Sequence, residues 1–282
     1  MFKRTITVIF ILIIAAGCQA KQLHLNQPVY DIDRGRKTIL SEMTADLKKN
    51  RIILVGEHHG NKSHHWAQLN VIQAMVHAGA KVAIGLEMFR DDSQNSLDEW
   101  IAGELDEAEF ERIYYDNWNF PYAAYQMIFK YARENQIPMI GLNVSRDITR
   151  QVSRAGFQSL SEEAKQKLSE VTCRVDEAYM QYIRKAFGAH AHGNLNFVYF
   201  CEAQLVWDNI MAINILNYLK RHPDVVVVAL TGTGHAQKLA IPRQISSRSQ
   251  LPCAVILPEV RGKIDAQTIG TNEADYLMLD LN

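Results

Sequence analysis

Cysteine is scarce in this chain: four among 282 residues, at positions 18, 173, 201 and 253. With Cys18 close behind an apolar leader, three remain for the fold. At most one disulfide can form among them, so packing rather than cross-linking must hold the structure. No C-x-x-C pair is present to suggest a structural zinc. An excess of basic charge is also missing. Lys and Arg number 30 against 31 Asp and Glu, which argues against nucleic acid as a partner. There is no internal repeat and no low-complexity tract. No apolar run reaches the roughly 18–20 residues that a membrane-spanning helix needs.

What is there begins with an export signal. "MFKR" is a basic start, "TITVIFILIIAAG" an apolar run too short to span a bilayer, and Cys18 follows small residues. The stretch "AAGC" resembles a bacterial lipobox, with Ala15 where leucine is commonest. Residues 1–17 are therefore expected to be a lipoprotein signal peptide and Cys18 the lipidated N-terminus. The alternative is an ordinary secretory signal with an incidental cysteine. Gln19, in place of an aspartate that would retain the protein at the inner membrane, points to the outer membrane. Residues 18–36 are read as a tether and 37–282 as a single domain, a size that can bury one full core.

Within the domain, five short apolar runs have the length and β-branched content of buried strands. They are "RIILVG" (51–56), "KVAIGLE" (81–87), "IPMIGLN" (137–143), "VVVVALT" (225–231) and "CAVILP" (253–258). None alternates cleanly, as expected of parallel strands covered on both faces. Helical patterns lie between them, and Ser96 with Glu99 reads as a capping box for one of these helices. The fold expected is α/β, a mainly parallel sheet covered by helices on both faces. A helical insert at about 160–222 interrupts the alternation. It is read as two long helices joined by "AHAHGN", in the position of a lid, binding wall or dimer surface.

Polar residues gather where the strands stop. "GEHH" supplies Glu57, His58 and His59, "LE" supplies Glu87, and "LN" supplies Asn143, with Arg146 just beyond. "TGTGHA" supplies Thr231 and His235. The carboxyl ends of parallel strands share one sheet edge, where ligands of open α/β sheets bind. Glu57, His59, Glu87 and His235 could hold a divalent metal. Alternatively, they could orient and deprotonate a water without one, with Arg146 nearby. A third reading is that these charges only cap helices and pair with one another.

His64 and His65 precede "WAQLNVIQAMV" and are expected to be ordinary residues of the next helix's first turn, since a 3.6-residue period cannot aim them all at the strand ends. His77 and His222 read as surface residues. In the insert, Tyr179 and Tyr182 share a helix face, followed by Lys185, His190 and His192. Such a stripe most often packs into a core. Its functional reading is a tyrosine ligand for haem iron, with basic residues for the propionates.

The lipobox, "LVGEHH", "GLEMF", "GLN...R", "CEAQLVWDNIMA" and "VVVVALTGTGHA" together resemble the ChaN-like haem-binding lipoproteins, over about Ile39 to Pro258. Their superfamily also includes Tiki/TraB proteins and erythromycin esterases. The resemblance implies a lipid-anchored outer-membrane protein of haem or iron acquisition. Its haem would be held near a homodimer interface with tyrosine ligation and passed to or from an outer-membrane receptor. The lack of a C-x-x-C-H motif makes that haem b-type and non-covalent. Tyr179, Tyr182, Lys185, His190 and His192 are the expected haem-site residues. The Tiki branch implies a metal-dependent peptidase, with His59, His235 and Glu87 as its motif positions. The esterase branch implies water activation by Glu57 and His59, although its own Glu–His spacing is one residue longer. A hydrolase using Glu57, His59, Glu87, His235 and Arg146 is thus the alternative function.

Overall fold

The computed structural model describes residues 24–187 and 196–281. Its strands are β1 (Pro28–Asp31), β2 (Arg36–Ile39), β3 (Ile52–Glu57), β4 (Val82–Arg90), β5 (Met139–Asn143), β6 (Val226–Gly232), β7 (Cys253–Pro258) and β8 (Tyr276–Met278). The helices on one side are α1 (Leu40–Leu47), α2 (Lys62–His77), α3 (Gln94–Ala102), α4 (Glu107–Asn117) and α5 (Tyr122–Glu134). The rest are α6 (Arg146–Ala155), α7 (Glu162–Lys167), α8 (Glu177–Phe187), α9 (Phe197–Arg221), α10 (Thr233–Ala236) and α11 (Ile241–Ser246).

All strands join one eight-stranded sheet in the order β2-β1-β8-β7-β3-β6-β4-β5. From β8 to β5 every neighbouring pair is parallel, while β1 runs antiparallel to both β8 and β2. Side chains alternate between faces along a strand, so each strand feeds two cores. Ile53 and Val55 of β3 pack with α1 to α5. Ile52 and Leu54 pack with Met211, Ile215 and Leu219 of α9 and with α11. That double burial is why the five central strands read as unbroken apolar runs.

Register decides where the site forms. β3 pairs with β6 from Ile52↔Val227 to Glu57↔Gly232, and β4 pairs with β6 as far as Leu86↔Leu230. Glu57, Glu87 and the chain leaving Gly232 therefore end at one level of the same edge. Between Leu86 and Arg90 the β4–β5 register shifts. The bulge needs a residue without a side chain opposite it: a Cβ on Gly141 would lie 2.2 Å from the Arg90 carbonyl oxygen. Bulges re-aim side chains beside functional sites, and here the irregular stretch carries Glu87.

Three expectations need correction. The stretch read as a tether contains β1 from Pro28, and Asp31 is buried. Its four-residue strand is too short to register as a periodic signal, and it is held by long-range pairing with β8. The first long helix of the insert is instead α7, an irregular segment and α8, because "SEVTCRVD" supplies no continuous apolar stripe. The second long helix is α9, capped by the Asn196 side chain accepting from Val198 N–H at 2.9 Å. Finally, Ser96 lies inside α3 rather than capping it, since that helix begins at Gln94. A capping box does form one helix later, where Asp106 and Glu109 open α4.

Candidate functional site

Glu57, the last residue of β3, is buried and surrounded by donors. Its Oε1 receives the Tyr125 hydroxyl at 2.7 Å and lies 2.6 Å from His59 Nδ1, while Oε2 bonds to His65 Nε2. Burial works against the charge, yet the hydrogen bonds from His59 and His65 outweigh it and hold this carboxyl down at about 2. Glu57 is thus a fixed anion whose oxygens are already engaged. It orients the ring of His59 and leaves Nε2 facing outward.

His65 and His64 are not bystanders. Both belong to the first turn of α2, as expected, but that turn folds back under the loop because Asn61 caps it, accepting from Ser63 N–H at 3.0 Å. His65 Nδ1–H donates to the Ala124 carbonyl at 3.0 Å while its other nitrogen grips Glu57. His64 Nδ1 accepts the His58 backbone N–H at 3.0 Å. Burial pushes His64 down to about 4, which keeps it neutral and able to accept. His58 itself is exposed and only stacks its ring edge on His64.

The second arm is built the same way from other elements. His235 follows β6, and its Nδ1 lies 2.6 Å from Asp208 Oδ1 on α9. Asp208 is fully buried and also accepts the Tyr179 hydroxyl at 2.5 Å. Burial lowers the basicity of His235, but Glu87 and Asp208 prevail and push it up to about 9, so it is an imidazolium at neutral pH.

The two arms meet at Glu87. His59 Nε2 is 3.8 Å and His235 Nε2 3.9 Å from the same oxygen, Glu87 Oε1. The other oxygen, Oε2, accepts Gly232 N–H at 2.6 Å. A Cβ on Gly232 would stand 3.1 Å from His59 Cε1 and Nε2, so a side chain there would press on that ring. His59 is pulled down by burial, but Glu57 and Glu87 raise it above its ordinary value.

These groups floor a cleft of about 520 Å³. Trp118, Phe200 and Trp207 supply apolar walls, with Arg146, Arg150 and Asn143 beside them. Arg146 is fixed by donating to Asn119 Oδ1 at 2.8 Å and to the Asn117 carbonyl at 2.9 Å. Two lining groups, Gln204 Oε1 and Trp207 Nε1, are buried and have no hydrogen-bond partner within the described residues. Orphaned polar atoms beside a cleft are groups that a ligand or water would satisfy.

Other expected site residues lie elsewhere. Tyr179 and Tyr182 are buried, and each hydroxyl is already donated, to Asp208 and to the Gly234 carbonyl respectively. Burial and Asp208 raise both phenols well above their ordinary value, and both hydroxyls are engaged within the chain. The stripe packs, because α8 lies against α9 around Ile183, Cys201 and Leu205. Lys185 is exposed and paired with Glu273 at 3.2 Å. His190, His192 and Cys18 lie outside the described residues. Among the described residues, no group of three or more His, Cys, Asp or Glu side chains is arranged to hold a metal ion. Glu57 in particular is spent on three donors. The residues missed in the sequence are Asp208, His65 and Tyr125. Only Asp208 left a signal, as a lone acid inside the apolar run "LVWDNIMAINIL".

The chain belongs to the family described as "Haem-binding uptake, Tiki superfamily, ChaN", which matches residues 43–245. Among solved structures it is similar to ChaN of Campylobacter jejuni with cofacially bound haem. That match has 20% identity and a TM-score of 0.66, covering 89% of this chain and 95% of the other. A mutant of the erythromycin esterase EreC in its open conformation matches at 16% identity and a TM-score of 0.49, covering 77% of this chain and 72% of the other. The type III effector HopBA1 matches at 12% identity and a TM-score of 0.48, covering 84% and 90%. At these identities the likeness is one of fold. No protein with a curated description matches the chain.

Proposed function

We infer that this protein binds haem non-covalently in haem or iron acquisition, anchored through Cys18 at the outer membrane. The observation that carries the reading is the family match, which spans the strand-end cleft. The cleft's chemistry fits the group. Trp118, Trp207 and Phe200 suit an apolar macrocycle, and Arg146 and Arg150 suit its propionates. His59, steadied through Nδ1 by Glu57, presents Nε2 as an iron ligand in the carboxylate–imidazole arrangement common at metal sites. Haem bound there supplies the iron to be carried. A second copy of the chain would close the open side of the cleft, and an outer-membrane receptor would be the exchange partner.

The test compares variants lacking residues 1–18 in titrations with ferric haem, followed by the Soret band. Arg146→Met and His59→Ala are expected to weaken binding tenfold or more, with Tyr179→Phe and Tyr182→Phe unchanged. Loss with the tyrosine variants and retention in the other two would move the site to the helical insert. Sedimentation with and without haem tests the dimer. For the anchor, Cys18→Ala is expected to release the full chain from the outer-membrane fraction; a membrane-bound variant would rule out lipidation there.

One observation favours a second activity at the same cleft: the paired Glu57–His59 and Asp208–His235 arms around Glu87. In this reading His59 accepts a proton from water, and the His235 imidazolium stabilises the developing oxyanion of an ester or peptide. Turnover of such substrates, abolished by His59→Ala and by His235→Ala, is the expected result. No turnover by the purified chain, assayed with and without added divalent metals, removes this activity.

A further inference from the structure

A second cavity, of about 360 Å³, lies on the far side of Tyr179 from the cleft, between the irregular segment before α8 and the helix α11. It is lined by three guanidinium groups, those of Arg174, Arg243 and Arg248, which come from segments about seventy residues apart. Arg243 and Arg248 are half-buried and Arg174 is exposed, and gathering like charges in one concavity is costly unless anions balance them.

The balance within the chain is incomplete. Arg243 is paired with Asp176, its Nη1 lying 3.3 Å from Asp176 Oδ1 and its Nη2 bonded to the other oxygen. Arg248 is half-buried, and its hydrogen bonds run only to neutral acceptors. These are the Gln244 carbonyl at 3.0 Å, Gln244 Oε1 at 3.4 Å, the Glu170 carbonyl at 3.1 Å, Ser247 Oγ at 3.1 Å and Asn209 Oδ1. Among the described residues no carboxylate lies within ion-pair distance of it. Arg174 is exposed, with neither a hydrogen bond nor an ion pair among the described residues. Among the described residues, Glu170 is the only carboxylate that lines the cavity, and Asp176 adjoins it through Arg243. Three cations facing Asp176 and Glu170 leave one positive charge uncovered. Arg174 keeps its whole donor fork, and Arg243 keeps the N–H groups not turned to Asp176.

We propose that this cavity is an oxyanion-binding site, separate from the strand-end cleft, taking a small phosphate- or carboxylate-bearing ligand between Arg174 and Arg243. Guanidinium forks match the oxygens of such groups in a bidentate way. Arg248, locked in place by its neutral acceptors, contributes field rather than contact. Thr172 and Gln244 add uncharged donors at the same wall. Tyr179 separates this site from the Asp208–His235 pair, so the anion would lie one side chain away from the cleft's charged histidine. The inference does not depend on haem binding in the cleft.

The experiment is isothermal calorimetry on the chain lacking residues 1–18, with inorganic phosphate in one arm and citrate in the other. Saturable one-to-one binding in at least one arm is expected, and the stronger arm identifies the oxyanion. Arg174→Met, on the surface, is expected to melt like the parent and to weaken binding about tenfold or more. Arg150→Met, in the cleft wall, is expected to leave it unchanged, and ferric haem titrations of Arg174→Met are expected to match the parent. No saturable binding in either arm overturns the proposal. So does binding that survives both Arg174→Met and Arg243→Met, or that is lost with Arg150→Met.

Discussion

His59 and His235 have the same construction, and both are raised above the ordinary imidazole value. Each ring is fixed through Nδ1 by a buried carboxylate and offers Nε2 to Glu87. The shifts of Glu57 and His235 translate into a pH dependence of stability. Glu57 falls from an ordinary 4.5 to about 2 on folding, so its contribution is complete above 4.5 and disappears as pH drops toward 2. A shift of that size is worth on the order of 3 kcal/mol. His235 rises from 6.5 to about 9, so its contribution is complete below 6.5 and disappears as pH rises through 9. Urea melts from pH 2 to 10 are expected to show both flanks, with Glu57→Gln removing much of the acid one and His235→Gln the alkaline one. An unchanged acid flank in Glu57→Gln would contradict the first assignment.

The tyrosines carry a prediction at the same scale. Tyr179→Phe leaves a buried Asp208 oxygen without its donor and is expected to cost about 1–3 kcal/mol in denaturant melts. A haem spectrum altered by this variant at unchanged stability would restore tyrosine as the ligand. In the sequence, Glu57, His59, Glu87 and His235 were legible because strand ends converge whatever the spacing between them. His65 and Tyr125 were not, because their roles depend on how α2 and α5 dock against the loop. For the tyrosines the sequence offers both packing and ligation, because a stripe at helical spacing does not reveal which neighbour takes its hydroxyls.

At the scale of elements, two glycines separate fold from site. At Gly141 the obstacle to a side chain is the Arg90 backbone in the bulge, which cannot give way. Gly141→Ala is therefore expected to destabilise by about 3 kcal/mol. At Gly232 the obstacle is the partly exposed His59 ring, which has to yield by only a few tenths of an ångström. Gly232→Ala is expected to cost less than about 1 kcal/mol while weakening haem binding. Equal losses of stability in melts of the two variants would contradict this division. The five central strands were readable because burial on both faces leaves a continuous apolar run. Strands β1, β2 and β8 were not, being three or four residues long and stabilised by pairing with distant segments. The break between α7 and α8 escaped notice because charged and apolar residues still alternate across it.

At the scale of the whole molecule, a parallel sheet places β6 between β3 and β4 and so brings two histidine arms to one cleft. Aromatic walls, two arginines and orphaned polar atoms line that cleft, and the family to which the chain belongs is one of haem uptake. The most direct measurement is a titration of the wild-type chain, lacking residues 1–18, with ferric haem. A Soret band that shifts and saturates at one haem per chain is the predicted result. An absorbance that rises linearly past that ratio, with no shift from free haem, would contradict the account.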